Sequence, residues 1–245
     1  MMLKIFRNHI SLVVLALLLV PALAGCVFGF NAITGSGNVI TQEYDFTDFN
    51  NIDIGHAFKV NITPGDSYSV VVRVDDNIVD KLLVEQKDSR VTIGLQQGTV
   101  VTQATLEADI ILPDLNRLDV SGAAQVQLND LDTVDTFIAE ASGASRIQGG
   151  LTANDVELEA SGTSNITLVG SGANVVAKAS GVSKIDLEGF EAVDAQTEAS
   201  GTSTVIVNIV GILDADVSGA SNVYYVGNPE MGIIDTSGGS NVEPR

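Results

Sequence analysis

Ala160-Ser161-Gly162-Thr163-Ser164-Asn165-Ile166-Thr167-Leu168 and, one unit on, Ala179-Ser180-Gly181-Val182-Ser183-Lys184-Ile185-Asp186-Leu187 are two copies of one pattern. Each has a small residue, Ser-Gly, a free position, usually Ser, a polar residue, and then an apolar one. The Ser-Gly pair recurs at Ser121, Ser142, Ser161, Ser180, Ser200, Ser218 and Ser237, with successive spacings of 21, 19, 19, 20, 18 and 19 residues. A period of this kind marks stacked supersecondary units. Ser36-Gly37 and Ser171-Gly172 fall outside the register and lack the flanking pattern.

Alternation of apolar and polar residues precedes each Ser-Gly, as in Leu158-Glu159-Ala160, and resumes after it, as in Ile166-Thr167-Leu168. Period two on both sides predicts two short strands meeting at a corner. Glycine there permits a positive φ or a close backbone approach, and the small residue beside it lets one coil settle on the next. Helical repeats are disfavoured, because the units are rich in glycine and β-branched residues and carry no 3.6-residue stripe. The ladder of a leucine-rich repeat and the Gly-Gly-x-Gly-x-Asp of calcium-binding nonapeptides are both missing. Left-handed hexapeptide helices keep near-fixed coil lengths, whereas these coils vary. The sequence therefore predicts an all-β protein, a single right-handed parallel β-helix (β-solenoid) with coils of about 19–20 residues.

The pattern continues upstream in degraded form. Ile52-Asp53-Ile54-Gly55-His56-Ala57-Phe58-Lys59-Val60-Asn61-Ile62 aligns without gaps on Leu118 to Leu128, so the early coils read as variants of the same unit. Strand-like runs at Val70 to Val74, Leu83 to Leu95 and Leu106 to Leu112 fill the interval, with Pro64-Gly65-Asp66 as a turn. Asp76 to Leu83 is the one expected helix: Ile78, Val79, Leu82 and Leu83 share a face behind an Asp cap, placed to cover an exposed coil end.

The amino terminus has Lys4 and Arg7, an apolar run from Ile10 to Val20, and then Leu23-Ala24-Gly25-Cys26. This is the order of a secretory signal. The last four residues resemble the bacterial lipobox, in which the cysteine thiol is diacylated and becomes the new amino terminus. The expected organisation is a signal peptide with lipobox at 1–25, a lipid-anchored tether at 26–37, and the β-helix at 38–245, with Ser-Gly repeats from 118 to 243. Two or three acyl chains on Cys26 would hold the protein firmly to a membrane from outside the cytoplasm. Cys26 is the only cysteine, so no disulfide framework exists. Losing Lys4 and Arg7 from 12 basic residues leaves 10 against 31 acidic ones, a formal balance of −21. Such an excess disfavours nucleic acid and anionic phospholipid as partners of the domain itself; its commoner meaning is solubility.

Stacked coils place equivalent side chains about 4.8 Å apart in columns. Two positions before each repeat Ser lie Asp119, Glu140, Glu159, Lys178, Glu198, Asp216 and Asp235, facing outward, while Val120, Ala141, Ala160, Ala179, Ala199 and Val217 face inward. Like charges at that spacing repel by about 1 kcal/mol per pair in water-like surroundings. A weakly held divalent cation or a basic partner would relieve this. The plainer and preferred reading is a solvated charge column that keeps chains from pairing edge to edge. The hydroxyl columns, Ser121 through Ser237 and Ser145, Ser164, Ser183, Ser203, Ser221 and Ser240, read as corner hydrogen-bonders, since a catalytic serine is singular and needs a base nearby. His56 occupies a glycine position, which favours a tolerated turn residue over a general base. Tyr224 and Tyr225 are the rings that could stack on a sugar, but alternation sends one of them into the core, and a lone exposed ring is weak evidence of a sugar site. No catalytic residue and no cofactor is expected from the motifs present.

Together Gly35-Ser36-Gly37-Asn38, the Ile52 to Ile62 segment, Asp76-Asn77-Ile78-Val79-Asp80, Leu112-Pro113-Asp114-Leu115, the Ser-Gly series and Tyr224-Tyr225-Val226-Gly227-Asn228-Pro229 resemble one family: the "putative auto-transporter adhesin, head GIN domain" family. The resemblance covers about residues 35 to 245. It implies an exported right-handed β-helix and a role in adhesion, and it brings no ligand-binding or catalytic residues to transfer. Three functional classes follow. The favoured one is a non-enzymatic, lipid-anchored module of the cell surface or envelope that binds a macromolecule, protein or glycan, through an extended face. A β-helical polysaccharide-active enzyme would need a cleft built by inserted loops, and the coil lengths leave little room for them. An envelope maintenance or signalling partner without a dedicated ligand is not separable from the first class by sequence.

Overall fold

The computed structural model describes residues 32–132 and 135–245; the signal, the lipobox with Cys26 and the tether as far as residue 31 lie outside the described residues. The alternating segments and their Ser-Gly corners form the expected all-β parallel solenoid. From residue 117 onward the strands are Arg117–Val120, Gln125–Asp132, Thr136–Ala141, Arg146–Ala160, Asn165–Ala179, Lys184–Ala199, Thr204–Ile209, Ile212–Val217, Asn222–Gly227, Glu230–Thr236 and Asn241–Pro244. Each pairs in parallel with its counterpart one coil away. Val126, Ile147, Ile166, Ile185, Val205 and Val223 are register partners in series and all are buried. Burying each such side chain contributes about 1.5–3 kcal/mol, set against the cost of ordering the chain. Nearer the corner the interior is lined by Ala141, Ala160, Ala179 and Ala199, whose small side chains let the ribbon turn.

The corners lie directly over one another. Their glycines hold left-handed backbone, with φ of +72° at Gly143, +71° at Gly162, +74° at Gly181 and +77° at Gly201. The residue after each glycine donates its N–H to the glycine carbonyl of the preceding coil: Ala144 to Gly122 and Thr163 to Gly143 at 2.7 Å, Val182 to Gly162 at 2.8 Å. A Cβ placed on Gly181 would lie 2.7 Å from the Gly162 oxygen, so both backbone angle and available space demand glycine there.

The alignment of Ile52–Ile62 on Leu118–Leu128 is realised as physical register: Ile52 pairs with Leu118, Ile54 with Val120, Val60 with Val126 and Ile62 with Leu128. Stacking order nevertheless departs from chain order. On its other side, Asn51–Ile54 pairs with Arg90–Leu95, and Lys59–Pro64 with Leu106–Leu112. The coil at 51–64 is thus held between a coil formed later in the chain and the one that begins at Arg117. Ser69–Asp75 runs antiparallel to both Leu106–Leu112 and Val39–Tyr44, and Leu82–Lys87 forms an antiparallel hairpin with Arg90–Leu95. The early coils are therefore variants of the unit only where they stack on the regular ones.

The helix expected over Asp76–Leu83 does not form. Only Val79–Lys81 makes a single 3-10 turn, too short to cover a coil end. Leu82 and Leu83 pair instead with Leu95 and Gly94, and of the four apolar residues only Ile78 is fully buried. Pairing along the hairpin satisfies more backbone groups than two helical turns would, and it wins over a short apolar periodicity. Ile33–Thr34, within the stretch read as tether, pairs with Val101–Thr102. Nearby, the buried Asp75 carboxylate accepts the N–H of Gly37 at 2.8 Å and of Thr105 at 2.7 Å.

Candidate functional site

Alternation along the parallel strands brings the predicted acidic column together as one row. Asp119, Glu140, Glu159, Lys178, Glu198, Asp216 and Asp235 are register partners in unbroken succession. All lie on the outer surface, half-buried or exposed. The row extends one coil further than the series named from sequence, since Asp53 is the partner of Asp119.

The row is less uniformly charged than the column of acids suggests. Asp119 is held by Arg90 at 2.7 Å and by Arg117 at 3.0 Å, and Arg117 also reaches Glu140. Lys178 bridges to Glu198 at 3.1 Å. Among the described residues Glu159, Asp216 and Asp235 make no ion pair. Exposed pairs of this sort are worth about 0–1 kcal/mol each, so they order the face more than they stabilise the fold. Burial first, and then the negative charge of Asp119, push the Asp53 carboxyl above its ordinary value, against the pull of Arg90. Arg117 and Asp53 were legible: Arg117 sits two residues before Asp119 on the same face, and the gapless alignment puts Asp53 over Asp119. Arg90 was not, because its strand reaches the row from out of sequence order.

Beside the charged row runs the first hydroxyl column. Ser180, Ser200 and Ser218 share a shallow groove with Glu159, Lys178, Glu198 and Asp216. A second stretch of groove is lined by Asp119, Ser121, Glu140, Ser142, Glu159 and Ser161. The second hydroxyl column faces inward. Ser145, Ser164, Ser183, Ser203 and Ser221 are buried. Ser164 and Ser183 each donate to the carbonyl before the preceding corner, Ala141 and Ala160, at 2.9 Å, and Ser203 to Ala179 at 3.0 Å. These hydroxyls fasten one corner to the next.

His56 takes the glycine place in its corner with φ of +62°. Its Nδ1 accepts the Leu95 N–H at 3.1 Å, and burial lowers its pKa, so the ring is a neutral acceptor within the turn. Tyr225 turns inward against the core and Tyr224 outward, both half-buried. Among the described residues no three His, Cys, Asp or Glu side chains are grouped to hold a metal ion. No helix among them is long and apolar enough to cross a membrane.

The molecule is thus a parallel β-solenoid whose stacked coils display one long row of charge and a parallel row of hydroxyls. The chain belongs to the family described as "Putative auto-transporter adhesin, head GIN domain", whose profile matches residues 48–229. Solved structures share the fold. A protein of Bacteroides fragilis described as "a putative adhesin" superposes with a TM-score of 0.81 at 21% identity, covering 87% of this chain and 100% of its own. A "putative adhesin" of Parabacteroides distasonis gives 0.71 at 21% identity, with 87% and 100% covered. A "putative lipid binding protein" of the same species gives 0.66 at 16% identity, with 87% and 99% covered. No curated protein matches the sequence.

Proposed function

We propose that this chain is an exported, non-enzymatic surface module, anchored through lipid on Cys26, that holds a macromolecule against the outer face of its solenoid. The observation that carries this reading is the row from Asp53 to Asp235, acidic in every coil but that of Lys178 and flanked by serines from Ser121 onward: a chemistry repeated from coil to coil makes an extended face, suited to a long partner gripped at many weak points. Catalysis asks for the opposite, a few unlike groups converging on one reacting atom. The buried hydroxyls of the second column, Ser164, Ser183 and Ser203, are spent on backbone carbonyls. The family description and the adhesin descriptions of the Bacteroides and Parabacteroides proteins support the same role. With Glu159, Asp216 and Asp235 making no ion pair among the described residues, the face suits a partner bearing basic groups, or a glycan approached through hydroxyls and carboxylates.

A glycan array combined with capture of surface-exposed proteins, using the full chain, tests the proposal. The expected result is retention of a glycan or a surface protein that is weakened by Glu159→Lys, with no new reducing ends released from polysaccharide. Turnover of a polysaccharide, or binding indifferent to charge reversal on this face, would overturn it.

A further inference from the structure

The strand that follows the Ser-Gly corner carries a face of different chemistry from the charged row, which lies on the strand that precedes it. Lys59, Gln125 and Arg146 are register partners in three successive coils, and beside them so are Asn61, Gln127 and Gln148. All six alternate with the buried Val60, Val126 and Ile147, and together they line one shallow groove on the outer surface.

In a chain with 31 acidic and 12 basic residues, this groove holds two cations and no carboxylate. Both cations are uncommitted. Of the lysines and arginines, Lys59, Lys81, Lys87 and Arg146 alone make no ion pair among the described residues, and two of these four stand here, on either side of Gln125. The carboxylates nearest in register are already engaged. Glu107 and Asp109, partners of Lys59 and Asn61 in the next coil, are held by Arg73 at 3.4 and 2.6 Å. On the other side, beyond Asn165 and Thr167, Asp186 is held by Lys184 at 2.7 Å.

Stacking sets Lys59 and Arg146 two coil rises apart, about 10 Å. Neutral amides fill the space between and beside them. Asn61 donates to Asp109 and Gln148 to Gln127, each at 2.9 Å, which fixes both side chains and leaves their carbonyl oxygens to accept. Gln125 is exposed and offers a donor and an acceptor at once.

We propose that this groove binds an acidic polysaccharide bearing one uronic acid per disaccharide, laid along the solenoid axis. Its successive carboxylates rest on Lys59 and Arg146, and the hydroxyls of the neutral sugar between them meet the amides. Arg146 matches a planar carboxylate with two parallel hydrogen bonds, and Lys59 supplies a point charge. Two cations among neutral groups do not suit a densely charged polyanion or an anionic membrane, which would bring its charge against the acids elsewhere on the domain. This face is separate from the row of Asp119 and Glu159, so the proposal does not rest on the partner suggested for that row.

The test uses the full chain and fluorescein-labelled octasaccharides of hyaluronan and of unsulfated chondroitin, each with one glucuronic acid per disaccharide, read by fluorescence anisotropy. Binding is expected, weakened about fivefold by Lys59→Gln or by Arg146→Gln and by about the product of the two in the double variant. Methyl esterification of the carboxylates should weaken it at least as much as the double variant does, and Glu159→Lys should leave it unchanged. The proposal is overturned if neither octasaccharide binds, if the methyl esters bind equally well, or if Lys59→Gln and Arg146→Gln have no more effect than Glu159→Lys. Binding to phosphatidylglycerol vesicles that the double variant loses and the octasaccharides do not displace also overturns it, because the groove would then belong to a membrane.

Discussion

Gly181→Ala is the substitution that asks most of the corner stack. Two costs arise together. The backbone at Gly181 has φ of +74°, a region that costs a residue bearing a Cβ about 1–2 kcal/mol. The added Cβ would also stand 2.7 Å from the Gly162 oxygen and 3.2 Å from its nitrogen, and both are backbone atoms fixed by the Val182–Gly162 hydrogen bond. Forcing such a contact typically costs about 1–3 kcal/mol. The total, roughly 2–5 kcal/mol, is a large part of the about 5–15 kcal/mol that holds a domain together. Gly98 separates the two contributions: its φ is +82° but nothing lies within 4 Å of its Cβ position, so Gly98→Ala should cost the conformational part alone. Urea unfolding followed by circular dichroism measures both variants. Because stacked coils can open singly, hydrogen exchange at the Val182 amide provides the local reading. If Gly181→Ala proves no more costly than Gly98→Ala, the corners are not in contact and the packing argument fails.

The remaining predictions concern charge and anchoring. Asp53→Asn should raise the melting temperature at neutral pH. The Asp53 pKa is raised in the folded protein, so its favourable contribution is present below the unfolded value and lost as pH rises through the folded one; melts of wild type and variant should converge in acid and diverge above the ordinary carboxylate range. Equal melting temperatures at neutral pH would contradict the burial assigned to this group. Cys26→Ser should move the protein from the membrane to the soluble fraction on cell fractionation, without changing binding by the solenoid. Unchanged membrane association would remove the lipid anchor from the account.

The regular coils were legible because each interaction that builds them leaves a mark every 18 to 21 residues. Gly143, Gly162 and Gly181 announce the corner, Ile147, Ile166 and Ile185 the interior, and Glu140 and Glu159 the outer row. Even the degraded coil was readable, since Val60 and Val126 pair as the alignment places them. The crossing of the chain at the amino-terminal end was not. Nothing local to Arg90–Leu95 says that it will stack outside Asn51–Ile54, because that pairing joins segments about 39 residues apart and out of chain order (Asn51 with Arg90). Antiparallel pairing escaped for the same reason, and Ile78, Val79, Leu82 and Leu83 mimic a helical face while two of them belong to a hairpin. At the site, the acidic column was visible as repetition. Its neutralisation by Arg90 was hidden, because that arginine arrives from a strand 29 residues before Asp119.

Scalar coupling across hydrogen bonds provides the most direct test of the stacked corners. In isotope-labelled protein the Val182 amide nitrogen should couple to the carbonyl carbon of Gly162, and Thr163 to Gly143, one coil back in each case. Couplings from these amides to carbonyls within their own coil, or fast amide exchange with no coupling, would contradict a ribbon whose corners lie one above the next.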